Sequence, residues 1–164
     1  MPEYDIDFAA KLASIASEVD EKDPWAYDAR RVTIYLARLS AEISMKALLE
    51  KAGVPIPRIR ARSHNLRALL TDLSECEVEI EIASGIKHSC SASLVRSATI
   101  DLGVIHVPIG EIIDAEDPRI SKYPNEIRYG ESVVDFSPAL VSGMAVVLAN
   151  WAKKHWKSIR VACK

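Results

Sequence analysis

Apolar residues recur along the first half of the chain with a period near 3.6, the signature of helices buried by one or more faces. The longest such run is residues 25–52, WAYDARRVTIYLARLSAEISMKALLEKA, bounded by Pro24 before it and by Gly53 and Pro55 after it. Proline at the start and glycine past the end is the asymmetry helix termini prefer. One apolar stripe takes Trp25, Ala29, Val32, Leu36, Leu39 and Ile43; a second takes Ile34, Ala37, Ala41, Met45, Leu48 and Ala52. Two stripes cover most of a helix, as expected of a central element. Between them Arg38, Glu42 and Lys46 form a polar line at i, i+4, i+8 that reads as a solvated edge. Glu42 precedes Lys46 by four residues, the favourable order for a helical ion pair.

The flanking patterns are shorter. Upstream, Phe8, Leu12, Ile15 and Val19 share one face of a helix that Asp5 or Asp7 is placed to cap. The polar cluster at 20–24 then turns the chain back as an antiparallel neighbour. Downstream, Pro55 and Pro57 predict an extended loop, because proline biases the residue before it away from helix. Ser63 reads as the N-cap of a third helix with the stripe Leu66, Leu69, Leu70 and Leu73. Residues 75–82, ECEVEIEI, have the period of a strand with one wet face, while Ser74-x-x-Glu77 also fits a capping box. The polar SGIKHSCSAS that follows reads as a mobile loop. Residues 97–113 hold β-branched residues, two glycines and Pro108, which argues for a small β-hairpin or irregular flap rather than one long helix. After a loop-like tail, Ser137 caps and Pro138 opens a last helix. Its face is Leu140, Met144, Val147, Leu148, Trp151 and Ile159, and Lys153, Lys154, Lys157 and Arg160 lie on its outer side. The expected fold is mainly α: an up-and-down bundle of four to five helices, with a small irregular or β insertion at about 76–120 that is less stable than the helices.

Composition narrows this little. At 164 residues, 49% hydrophobic and 27% charged, the chain reads as one soluble domain with a real core. A formal net charge of -2 points neither to nucleic acid nor to a membrane, so a basic site has to be local. No apolar run approaches a membrane span. The opening MPEYDID lacks the basic and apolar regions of a signal peptide. Cys76, Cys90 and Cys163 are an odd set without a disulfide framework, and the expected compartment is the cytoplasm.

Candidate chemistry concentrates at the start of the third helix. Arg58, Arg60, Arg62, His64 and Arg67, with Asn65 among them, form the densest basic cluster in the chain. Free N–H groups at a helix start together with arginines make an anion site, unless the arginines simply pair with nearby carboxylates in a solvated loop. His88, Cys90 and Cys76 match no standard zinc spacing, so no metal is expected, and no cofactor either. His106, between Ile105 and Val107, reads as structural. No Gly-rich phosphate loop, His-Glu-x-x-His or Gly-x-Ser-x-Gly occurs.

The segment YLARLSAEISMKALLEKAG, followed after a short loop by SHNLRALL, resembles the signature of HEPN domains. The matching positions are Ser40, Glu42, Lys46, Ala47, Leu48, Leu49, Gly53, His64, Asn65, Leu66, Leu69 and Leu70. Arg-Tyr-Gly at 128–130 resembles a turn that often precedes that family's last helix. The resemblance covers residues 25–73 well and 123–160 loosely, and leaves the insertion outside. It implies a helical bundle, often a homodimer. It implies a function among RNA- or nucleotide-binding modules, metal-independent RNases of defence and toxin–antitoxin systems, and partner subunits of small nucleotidyltransferases. The RNases carry Arg-x(4–6)-His at the start of the last helical segment, where this chain has Arg128 and no histidine within reach. That spacing occurs instead at Arg58-x5-His64, which makes those two the candidate catalytic residues. The cluster Arg58, Arg60, Arg62, His64, Asn65 and Arg67 is the candidate ligand-binding set.

Overall fold

The computed structural model describes residues 2–82, 85–115, 124, 127 and 137–162. Over these the chain is mainly helical with small antiparallel sheets. Helices α1 (Ile6–Lys22), α2 (Tyr27–Ala52) and α6 (Pro138–His155) are the long ones, and each packs against the other two. Short helices α3 (Ile56–Ala61) and α4 (Leu66–Ser74) follow α2, and α5 (Ile109–Ala115) closes the insertion.

Asp5 caps α1, accepting from the N–H groups of Asp7 and Phe8. The face that packs is Ala9, Leu12, Ala13 and Ala16, and the expected Phe8 is exposed. Alanines let α1 approach α2 so closely that the Ser40 hydroxyl donates to the Ala9 carbonyl at 2.7 Å. A Phe-bearing face would hold the two backbones apart. Contacts of Glu3 with Glu50 and of Ala9 with Ser40 fix α1 and α2 as antiparallel.

Helix α2 begins at Tyr27, two residues later than the pattern suggests. Asp23 accepts from the Ala26 N–H, the turn ends there, and Trp25 stands outside the helix at 87% exposure. Of the two stripes, Ile34, Ala37, Ala41, Met45 and Leu48 are wholly buried, whereas Val32 on the other stripe is exposed. Gly53 ends α2 in the left-handed region, φ 95°, a conformation a Cβ would strain. The Val54 N–H then reaches back to the Leu49 carbonyl.

The extended loop expected at 55–62 is instead helix α3. Pro57 lies in its first turn, where no N–H donor is required, so the proline starts the helix. The cap of α4 is Asn65, which accepts from the Ala68 N–H, and Ser63 sits two residues earlier at φ 49°. Leu66, Leu69, Leu70 and Leu73 are all buried, as their spacing requires.

The insertion is built on β1 (Cys76–Ile82), the strand alternative for that segment, flanked by β2 (Ile86–Ser91) and β5 (Arg160–Val161) in the order β2-β1-β5. The polar segment expected as a mobile loop therefore supplies the second strand of a hairpin, since ladder hydrogen bonds need backbone and not apolar side chains. Strands β3 (Thr99–Asp101) and β4 (His106–Pro108) form the second hairpin. The insertion is not a detached flap: Val78, Ala92, Val95, Ile100, Ile109 and Ile113 join the same core cluster as the helices. Ile100 presses on Gly143 of α6, where an added Cβ would come within 2.7 Å of its Cγ2.

Helix α6 opens with Ser137 at the cap position and Pro138 in the first turn, though the Ser137 side chain makes no capping bond. It ends at His155, so the buried Ile159 lies beyond the helix. Trp151 and Trp156 pack against the core. No helix among the described residues is long and apolar enough to cross a membrane. Residues 128–130 and Cys163 lie outside the described residues.

Candidate functional site

The polar line on α2 is not a solvated edge. Arg38, Glu42 and Lys46 are only 2%, 4% and 7% exposed. The helix needs no such residues there; leucine would pack with no desolvation cost. Tyr4 lies over Lys46, and His64, from the turn between α3 and α4, reaches Glu42; the helical pattern announces the arrival of neither.

Glu42 organises this site. Its Oε1 lies 2.7 Å from Lys46 Nζ, and its Oε2 lies 2.9 Å from His64 Nδ1. The left-handed turn at Ser63 carries His64 back across α2 to reach it. A carboxylate only accepts, so Nδ1 is the donor of this contact. The His64 side chain is 48% exposed, open to a ligand from solvent. The Lys46 ammonium also sits 5.5 Å from the centre of the Tyr4 ring, a cation–π distance.

The arginines of the basic cluster all have carboxylate or carbonyl partners. One helical turn separates Arg58 on α3 from Arg62 at its C-terminal cap, and both converge on Asp72 of α4. Arg62 binds it with two prongs at 2.7 and 2.8 Å, and Arg58 donates to it at 3.0 Å and to Glu75 at 3.0 Å. Burial alone would raise the Asp72 pKa and is the largest single influence. The hydrogen bonds from Arg62 and Arg58 together outweigh it and hold the carboxyl below its usual range. Arg60 faces the other way and grips Glu3 at 2.9 and 2.8 Å. Arg67 turns to α5 and donates to the Asp114 carbonyl. Asn65 is committed to capping α4.

The structure thus joins His64 to the polar line of α2, and it ties Arg58 into an ion-pair network with Asp72 and Glu75. Sequence reasoning missed Asp72, Glu3 and Tyr4. Asp72 stands between the stripe positions Leu70 and Leu73, and a carboxylate beside buried leucines was the available signal. Glu3 and Tyr4 carried none, since nothing local says where a terminal segment docks.

Elsewhere, burial pushes the Cys76 thiol up to about 11, with Glu75 adding to the shift, which keeps it an unreactive core residue. Arg160 on β5 ties the sheet together through Glu77 and Glu79. His106 is exposed, 3.9 Å from Asp101. Among the described residues no three His, Cys, Asp or Glu side chains gather as metal ligands.

No family model, curated protein or solved structure matches this chain.

Proposed function

We propose that this chain is a HEPN-like up-and-down helical bundle that binds RNA or a nucleotide in the cytoplasm, within a prokaryotic defence or toxin–antitoxin-type system. The observation that supports it is the buried Glu42–Lys46 pair, opening to solvent through His64. Ionisable groups withdrawn from water weaken a fold relative to apolar packing, so their concentration at one opening marks a functional site more often than a structural need. Lys46 supplies a cationic donor for phosphate, and Arg60, held by Glu3 next to the Tyr4 ring that lies over Lys46, adds an exposed guanidinium nearby. A short labelled RNA and ATP, followed by fluorescence anisotropy and competition, test this. Binding that weakens steeply with salt is the expected result, since each neutralised phosphate releases counterions.

The Glu42–His64 contact favours a second reading, a metal-independent RNase. A carboxylate that fixes the imidazole tautomer is what a general acid/base needs. Loss of His64 would then reduce cleavage about 100-fold or more. The engagement of Arg58 by Asp72 and Glu75 weighs against it, because the guanidinium must turn from two carboxylates to meet a scissile phosphate.

Self-association belongs to the same proposal. A homodimer seam expected on the last helix around Trp151 and Trp156 would use side chains that already pack partly against the chain's own core, while Trp25 and Val32 leave apolar surface exposed near the start of α2. Light scattering that gives the mass of a single chain at micromolar concentration would remove this part.

A further inference from the structure

Residues 3 and 4 lie across the cations of the candidate site. The Glu3 carboxylate takes Arg60 with two parallel bonds, Oε1 to Nε at 2.9 Å and Oε2 to Nη2 at 2.8 Å. Tyr4 lays its ring over the Lys46 ammonium at 5.5 Å. The backbone N–H groups of both residues donate to the Glu50 carboxylate, at 2.9 to 3.0 Å. The strap is therefore anchored through its backbone, and the Glu3 side chain can leave Arg60 without undocking it.

A guanidinium that holds a carboxylate by two parallel N–H bonds has the geometry with which it holds a phosphate. Arg58 and Arg60 of α3 and Arg62 at its cap differ in what they hold. Arg58 and Arg62 hold Asp72, which is buried and cannot swing away. Arg60 holds Glu3, with the two side chains 67% and 33% exposed, and an exposed pair of this kind is weak and readily exchanged. The arginine free to change partners is the one beside the strap that covers Lys46.

We propose that Glu3 is a built-in placeholder for a phosphate group, so that residues 3 and 4 compete with the ligand for Arg60 and for access to Lys46. This inference rests on the binding reading above and adds self-competition to it. The shared chemistry is a phosphate group, carried either by an RNA backbone or by a free nucleotide.

The test is anisotropy of a short labelled RNA, and displacement by ATP, with the full chain as wild type, Glu3→Gln, Arg60→Ala and the double variant. Glu3→Gln should tighten binding about two- to fivefold, the range an exposed ion pair can withhold. The gain should vanish when Arg60 is also alanine. A gain seen with RNA alone assigns the backbone phosphate, and one seen with ATP alone assigns the nucleotide. If wild type binds but Glu3→Gln does not tighten binding, the placeholder is overturned and the binding reading stands. A gain that persists without Arg60 also overturns it, since Glu3 would then act only through net charge. If neither wild type nor Glu3→Gln binds at low salt, the binding reading falls and the placeholder with it. Matching melting temperatures for wild type and Glu3→Gln establish that the fold is unchanged.

Discussion

Glu42 and Lys46, one helical turn apart on α2, meet at 2.7 Å with both side chains nearly withdrawn from water. On a solvated surface this spacing supports a helix by about 0.2–0.5 kcal/mol. Buried, it behaves differently, because each charge has lost its hydration and depends on protein partners. Lys46→Met should cost about 3 kcal/mol in urea unfolding, as removal of one member of a buried pair does. Combining it with Glu42→Leu should recover most of that loss. A Lys46→Met protein as stable as wild type would show that Glu42 does not need the ammonium.

Asp72 should set the acid limb of stability. Its pKa is held below the usual carboxylate range in the folded protein, so its contribution is fully present above the unfolded value. That contribution is lost as pH falls through the lower folded value. Asp72→Asn should cost about 2 kcal/mol near neutrality, since hydrogen bonds to charged groups are lost and both arginines are partly exposed. It should also flatten the fall in stability as pH drops below about 4, the ordinary carboxylate range. Melting curves across that range check both, and an unchanged acid slope in the variant would refute the assignment.

Much of the helical framework was legible because it follows from period and punctuation. Gly53 and the buried stripes of α2 and α4 are local features that tertiary contacts did not override. The misreadings share a physical cause. Pro57 biases its predecessor away from helix, yet a first helical turn tolerates it. The packing face of α1 was assigned to its largest apolar residues, yet alanines decide it because they allow close approach. Strand β2 was hidden because its partner is backbone, and exposed polar side chains leave no pattern. The candidate site was half legible. His64 and the arginines stand out as a cluster, while the contact of His64 with Glu42 depends on the Ser63 turn and that of Tyr4 with Lys46 on a segment far away in sequence, which no local pattern reveals.

The docking of the insertion on α6 gives a third prediction. Gly143→Ala places a methyl group within 2.7 Å of Ile100 Cγ2, and overpacking of this sort costs about 1–3 kcal/mol. Alanine's better helix propensity returns up to about 1 kcal/mol. The net loss should be close to 1 kcal/mol, and it should disappear in an Ile100→Ala background, where the clash is gone. Equal effects of Gly143→Ala in both backgrounds would mean that the hairpin does not press on the helix.

The central claim is that the opening formed by Glu42, Lys46 and His64 receives phosphate. It is tested most directly by titrating a short labelled RNA into wild type and His64→Ala across a salt series, with RNA integrity followed in the same samples. The account predicts binding to wild type that weakens steeply with added salt, a modest loss of affinity in His64→Ala, and intact RNA throughout. Absence of RNA and nucleotide binding to wild type at low salt, with His64→Ala lowering only the melting temperature, would contradict it and leave His64 a structural partner of Glu42.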